Sequence, residues 1–555
     1  MIQEPFIETL RKSIVDNWDR PAFTDYGTDK TMSYADVAAE IAHLHILFQE
    51  LGIAKNDKIS LVGKNNCNWV TSYLAIITYG AIVVPILQDF RANDALHIIN
   101  HSESRLLLIS DFLYENLDIT QMEQVEAVIS LTDFSIIATI EHADANKLSP
   151  QVIDAAFDAK YPNGLQPSDV KFCNKPNADI ASINYTSGTT GFSKGVVTPL
   201  NALAGNVLFC SSNHVVYHES RQVVFLPLAH AFGCAFDFLT SFATGAHSWF
   251  IGRTPSPKIL LQAFKEIKPT CVFTVPLILE KIYKTQIVPH LKKSSINWVL
   301  KMPLLDEVLL GKMRQALVDA FGGNFDEIIV GGAPLNAEVD EFLKRIHFPY
   351  TVGYGMTECA PLISYCKSAE YRTQSCGKPL PGLMEVRINE PNEEGVGEIQ
   401  VRGENVMIGY YKNEEASRMA FTKDGWLKTG DLGIVDEDGF VYIKGRNNTI
   451  ILGSSGQNIF PEEIESKLNN MPYVLESLVV KHSDGSLLAL VCPDYPSVDA
   501  DHLTKEMLEA AMETNRRNLN AQLAGYEQIS QLILYPHEFE KTPKKSIKRF
   551  LYTKL

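Results

Sequence analysis

The sequence carries no C-x-x-C pair, no low-complexity tract, no internal repeat and no surplus of positive charge. Each absence removes a class of function. The nine cysteines, among them Cys67, Cys234, Cys359, Cys376 and Cys492, are odd in number and scattered. That pattern disfavours a disulfide scaffold or a zinc site and points to a reducing, cytoplasmic setting. The formal charge of −16 argues against a nucleic-acid binder, which needs clustered Lys and Arg for phosphate contacts. Basic residues gather only near the end, at Lys541, Lys544, Lys545, Lys548, Arg549 and Lys554. The opening "MIQEPFIETLRKSIVDNWDRPAF" shows no basic stretch followed by an apolar one, so no secretory signal is expected.

Long hydrophobic runs are scarce too. One segment, "WVTSYLAIITYGAIVVPIL" (Trp69–Leu87), is uncharged over about the length a bilayer needs. Gly80 and Pro85 divide it, which predicts a buried helix, a turn and a buried strand. No transmembrane segment is expected, and peripheral contact with a membrane surface stays open. What remains is the composition of a globular protein, 45% hydrophobic and 21% charged. Its 555 residues imply roughly two to four domains.

Short β-branched runs alternate with helix-period segments through most of about the first 380 residues. "DIASINY" precedes a glycine-rich loop, "VVFLPL" precedes "AHAFG", and "CVFTV" runs into Pro276 and "LILEKIY". "DEIIVGGAPL" ends in paired glycines, with Asn336 placed to cap the helix that follows. This rhythm predicts an α/β fold of parallel, helix-covered sheets, with ligands gathering where strands end in loops. After about Gly377 the texture changes to short alternating strands, "GEIQVRG" and "LGIVDEDGFVYIKGR", which predict a smaller β-rich subdomain. Beyond Arg446, Pro461 with Glu462 and Glu463 marks a helix start. Another helix near Leu503–Leu523 and a strand "QLILY" complete a small α+β C-terminal domain. The expected division is 1–447 and 448–555.

The loop "NYTSGTTGFSKGVV" (Asn184–Val197) packs three glycines, several hydroxyls and one lysine together. Backbone N–H groups at Gly188, Gly191 and Gly195 can turn inward on an anion, Thr186, Ser187, Thr189 and Thr190 add hydroxyl donors, and Lys194 adds a mobile charge. Such a loop suits a polyphosphate. An ordinary glycine-rich surface turn fits the same residues. It is not a Walker A loop, because Ser193 stands where glycine belongs and Lys194 is followed by Gly195.

The loop does not stand alone. "MSYADV", "GAIVVPI", "LPLAHAFG", "GGAPL", "GYGMTE", "GEIQVRGENVMIGYY", "DGWLKTGDLG" and "GRNNTIILGSSGQNIFPEEIE" accompany it in order. Together they resemble the signatures of the AMP-forming adenylating superfamily, from about Tyr34 to Arg549. Within it the chain looks most like the long-chain fatty acyl-CoA synthetases. The resemblance implies that a carboxylate attacks the α-phosphate of ATP to give an acyl-adenylate, and that the thiol of CoA then takes the acyl group. ATP, Mg²⁺, CoA and a carboxylic acid, a fatty acid by this likeness, are therefore the implied ligands.

By the same resemblance, Thr186, Ser187, Gly188, Thr189, Thr190, Gly191 and Lys194 would hold the β- and γ-phosphates. Thr357 would donate to the α-phosphate and Glu358 would hold Mg²⁺. Tyr354 would pack on adenine beside Gly332 and Ala333, Asp431 would accept from the ribose hydroxyls, and Arg446 would reach the ribose and phosphate. His230 would line the acyl site, and the apolar segment after it, with Asp237 as its one acid, reads as a buried core helix that also serves an acyl tunnel. Asn448 would act as the hinge of a mobile C-terminal domain, and Gly456 would lie on the CoA channel.

Two departures accompany the likeness. The family's C-terminal lysine falls on Ser546, so Lys545 or Lys548 is expected to replace it in adenylation. Asn448 stands where Asp or Lys is usual, and asparagine tolerates the backbone angles of a hinge. Two rival activities share these residues: loading of a carrier protein, and nucleotide binding with weakened catalysis. No carrier domain follows Leu555 in this sequence, which tilts the expectation towards free CoA.

Overall fold

A computed structural model describes residues 2–139, 149–186, 194–252, 255–287, 305–447, 449–452, 458–482, 485–542 and 547–552. The fold is α/β. Its largest sheet has eight strands, in the order Gly409–Tyr410, Lys194–Pro199, Ile180–Thr186, Ile82–Ile86, Lys58–Val62, Ser104–Ile109, Ala127–Ser130 and Ile136–Thr139. The central five pair in parallel, as strands linked by helical crossovers must. The sequence rhythm predicts parallel sheets throughout, and here the sheet departs from it. Ile180–Thr186 and Lys194–Pro199 are joined by residues 187–193 alone, too few for a crossover, so they pair antiparallel with Thr186 opposite Lys194.

The apolar run at Trp69–Leu87 resolves as its punctuation predicts. Cys67–Tyr79 is a helix capped by the Asn66 side chain, Gly80 closes it at φ 100°, and Ile82–Ile86 is a strand buried along its whole length. Among the described residues no helix is long and apolar enough to cross a membrane.

A second sheet, Cys271–Thr274, Glu327–Val330 and Tyr350–Val352, is wholly parallel and entirely buried. Asn336 caps the helix Ala337–Arg345 by accepting from the N–H groups of Glu338 and Val339. The buried helix expected after His230 is present, and over Gly233–Thr240 it winds as a π-helix, all eight of its residues buried. The wider turn lets the Thr240 hydroxyl donate to the Ala235 carbonyl five residues back, at 2.7 Å.

The β-rich part is a four-stranded antiparallel sheet, Met384–Asn389, Gly397–Gly403, Leu427–Val435 and Val441–Arg446. Beyond it, helices Pro461–Leu468 and Lys505–Asn520 cover a three-stranded sheet of Val474–Lys481, Leu487–Pro493 and Ile529–Leu534. Pro461 opens its helix, with Glu462 and Glu463 in the first turn against the positive helix end. Asn470 donates to Asn336 across the gap between this portion and the parallel sheet, at 3.1 Å.

Candidate active site

The strand Glu327–Val330 ends in Gly331 and Gly332, and Tyr350–Val352 runs on into Tyr354, Gly355 and the short turn Thr357–Cys359. Both ends open on one narrow, partly open cleft with a cavity volume of about 50 Å³. His230, Gly332, Tyr354 and Thr357 all line it. Its walls are otherwise apolar, with Phe232, Phe236, Phe273 and Ile329 among them. The rings interlock: Phe236 stacks on Phe273 at 5.4 Å, and Phe232 meets Phe273 edge-on at 6.1 Å. Close approach dictates two glycines here. A Cβ on Gly331 would press within 3.0 Å of the Phe232 ring, and one on Gly355 would lie 2.3 Å from the Pro361 carbonyl oxygen. His230 sits half-buried at the cleft, its Nδ1 accepting from the Phe232 N–H at 3.3 Å.

The Tyr354 hydroxyl donates to Asp431 Oδ2 at 2.6 Å. The other oxygen of Asp431 meets Arg446 Nε at 3.1 Å, because Asp431 and Arg446 are direct cross-strand partners. Asp431 is 5% exposed. Burial pushes its carboxyl above the ordinary range, while Arg446 and the Tyr354 hydroxyl pull it back. The same burial, with the Asp431 charge beside it, raises the Tyr354 hydroxyl well above its usual value and keeps it a donor. Ionised, Asp431 has two lone-pair positions left after these contacts.

Glu358 follows Thr357, and its Oε1 accepts from the Tyr410 hydroxyl at 3.0 Å. Lys194 Nζ lies 4.9 Å from the centroid of the same Tyr410 ring. Tyr410 is held there by pairing of Gly409–Tyr410 with Lys194–Pro199, and the Met407 N–H is tied to the Glu358 carbonyl at 2.8 Å. One tyrosine thus joins the lysine of the glycine-rich loop to the acid of "GYGMTE". Sequence reasoning gave Tyr410 no role, although it stands inside the quoted "GEIQVRGENVMIGYY". The signal was there, as an aromatic directly after the strand-forming "IG".

A family model described as AMP-binding enzyme matches residues 10–411. The chain belongs to this AMP-binding enzyme family. Long-chain-fatty-acid–CoA ligase FadD15 of Mycobacterium bovis is 27% identical, over 94% of this chain and 90% of that protein. Long-chain-fatty-acid–CoA ligase ACSBG2 of Rattus norvegicus is 29% identical, over 89% of this chain and 76% of that protein. Among solved structures, o-succinylbenzoate coenzyme A synthetase of Bacillus subtilis, in complex with ATP and magnesium ion, superposes with a TM-score of 0.73. It is 21% identical and the match covers 99% of each chain, a likeness of fold.

For this AMP-binding enzyme the remaining sequence expectations divide in two. Thr186 and Lys194 flank the glycine-rich loop as paired residues, Gly332 and Ala333 are exposed at the strand end, and Gly332 holds a left-handed φ of 86°. Ser187, Gly188, Thr189, Thr190, Gly191, Asn448, Gly456, Lys545 and Ser546 lie outside the described residues. Lys548 is described, and its ammonium pairs with Glu540 at 3.5 Å while its N–H donates to the Glu540 carbonyl at 2.8 Å. These contacts stay within the C-terminal portion and do not bring Lys548 to the cleft. Arg549 next to it is tied to Glu465 and Glu462 on the helix Pro461–Leu468.

Proposed function

We propose that the protein is an AMP-forming acid–thiol ligase that activates a fatty acid with ATP and passes it to CoA. One observation carries this reading: the apolar cleft opens past His230 and Gly332 onto Tyr354 and Thr357, and through them onto Asp431 and Glu358. A hydrocarbon chain fits the first surface and a nucleotide the second. Their meeting point is where carboxylate and α-phosphate must meet.

The carboxylate oxygen bonds to the α-phosphorus as the bond to pyrophosphate breaks, leaving an acyl-adenylate. The CoA sulfur then bonds to the acyl carbon, AMP departs, and the thiol proton goes to solvent. The chain's contribution is positioning and charge. Asp431 accepts from both ribose hydroxyls with its two remaining lone-pair positions, and Arg446 lies against the ribose. Tyr354 packs on adenine beside Gly332 and Ala333. The Thr357 hydroxyl donates to the α-phosphate, and the loop from Thr186 to Lys194 cradles the β- and γ-phosphates. Mg²⁺ is commonly held by one or two carboxylates plus phosphate oxygens, and Glu358, with one oxygen on Tyr410, keeps the other to offer. Bound there, the ion would neutralise phosphate charge.

In this reading residues 1–447 form the adenylating domain and 448–555 a C-terminal domain turning at Asn448. One orientation brings Lys545 or Lys548 to the adenylation step, and the other brings Gly456 to the CoA channel. The cysteine pattern supports a cytoplasmic location.

The test is release of AMP and pyrophosphate across a panel of carboxylic acids, each with and without CoA. Acid-dependent AMP, with thioester only when CoA is added, is expected. ADP in place of AMP, or turnover indifferent to the acid, refutes the reading. The substitution by Ser546, together with the engagement of Lys548 by Glu540, favours one alternative, a nucleotide binder with weakened chemistry. ATP binding without acid-dependent pyrophosphate exchange is its mark.

A further inference from the structure

The floor of the cleft differs chemically from its walls. Phe273 and Ile329 are direct partners on neighbouring parallel strands and both line the cleft. Side chains alternate along a strand, so the pair two residues earlier, Cys271 and Glu327, faces the same side one row deeper. Glu327 is buried and fully partnered. Its Oε1 accepts from the Tyr365 hydroxyl, and its Oε2 accepts from the Ser368 N–H at 3.0 Å. Tyr365 itself lines the cleft beside Cys210 and Phe209, its ring edge-on to Phe209 at 5.6 Å. Burial and the adjacent Glu327 charge both raise the Tyr365 hydroxyl far above its usual value, so it remains a donor.

We propose that the Tyr365–Glu327 pair is the end-stop of the acyl site and sets the longest acid the enzyme accepts readily. This rests on the fatty-acid reading above. A chain that passes the floor must displace the Tyr365 ring, break its hydrogen bond and leave a buried carboxyl oxygen without a partner. A methyl terminus offers that oxygen nothing.

Phe273 and Ile329 are the last residues of their strands that line the cleft, and the Tyr365–Glu327 pair closes it one row beyond. A chain long enough to pass that row meets the pair, so hexadecanoate is disfavoured before dodecanoate.

The experiment measures kcat/KM for acid-dependent AMP formation with octanoate, dodecanoate and hexadecanoate. It uses the full-length wild-type enzyme, Tyr365→Ala and Tyr365→Phe. Each protein serves as its own control through the ratio of hexadecanoate to dodecanoate. In the wild type that ratio is expected below about 0.1, since leaving the buried Glu327 oxygen without its donor costs on the order of tenfold or more. Tyr365→Ala opens the floor and should raise the ratio tenfold or more. Tyr365→Phe, which keeps the ring and loses the bond, should fall between. A wild-type ratio near or above one overturns the end-stop without any variant, which covers a Tyr365→Ala protein that does not fold. A low ratio left unmoved by both substitutions overturns it too. No AMP with any acid removes the fatty-acid reading together with this inference, whereas AMP with an unchanged length profile removes the inference alone.

Discussion

Asp431→Asn tests the nucleotide reading most directly. The amide keeps the shape of the carboxyl but loses the charge and one acceptor oxygen. Two charge-assisted hydrogen bonds to the ribose, about 1.5–3 kcal/mol each, become at best one neutral bond of about 1 kcal/mol. The loss of about 2–5 kcal/mol corresponds to a drop in kcat/KM for ATP on the order of 10²–10³-fold. Stability should respond far less. Burial already strains the ionised Asp431, so removing its charge relieves desolvation. The lost pairing is with Arg446, whose side chain is 63% exposed, and an ion pair so open to water is worth about 1 kcal/mol or less. ATP–pyrophosphate exchange at saturating acid, with ATP varied, gives the first quantity, and thermal unfolding the second. Unchanged ATP kinetics would show that Asp431 merely shapes the turn after Thr429. Equal loss of activity and of folded protein would assign it to stability instead.

Two half-buried histidines make stability depend on pH. Burial lowers His45 and His247 from the usual 6.5 to about 4 each. Between those values the unfolded chain binds protons that the folded chain refuses. Stability complete above pH 6.5 is therefore lost as pH falls towards 4, by roughly 3 kcal/mol per histidine. Denaturant unfolding at pH 7 and pH 5 should reveal the slope, and His45→Gln should flatten it; an identical slope in the variant rejects the assignment. Gly355→Ala forces a methyl against the Pro361 carbonyl and should shift Tyr354 and Thr357 together, slowing adenylation tenfold or more and costing about 1–3 kcal/mol of stability. Normal adenylation in that variant would mean that the segment yields without disturbing the site. Lys545→Ala or Lys548→Ala, though not both equally, should slow acyl-adenylate formation by about 10²–10³-fold and spare CoA transfer from preformed acyl-adenylate. If adenylation is indifferent to both, the weak-catalyst alternative gains.

Local rules were legible wherever one residue decides the backbone. Gly80 ends its helix in the left-handed region, Asn336 caps through its side chain, and Pro461 opens a helix at the position where its missing N–H costs nothing. Periodicity alone misled where two geometries share one pattern. The strands Ile180–Thr186 and Lys194–Pro199 look like members of a parallel sheet, and only the shortness of the connection reveals a hairpin. The segment after His230 is largely apolar, with Asp237 its one acid, so nothing in its spacing distinguishes a π-helix from an α-helix. Its wide turn is accompanied by stacking of Phe236 on Phe273 and by hydroxyl bonds such as that from Thr240.

The site was legible as separate motifs and not as a network. Tyr354 and Asp431 lie 77 positions apart, and no local pattern says that the hydroxyl of one will rest on the carboxyl of the other. Tyr410 is the sharper case. Its contribution arises from sheet register: pairing Gly409 with Val197 and Tyr410 with Val196 fixes where the ring falls, under the Lys194 ammonium and beside Glu358. A change of one residue in that register would turn the ring to the opposite face of the sheet. The short strand Gly409–Tyr410 therefore carries more than its two residues of hydrogen bonding. It sets the spacing between the cation of the glycine-rich loop and the acid read as the metal ligand. Both should respond together to any substitution that breaks the pairing.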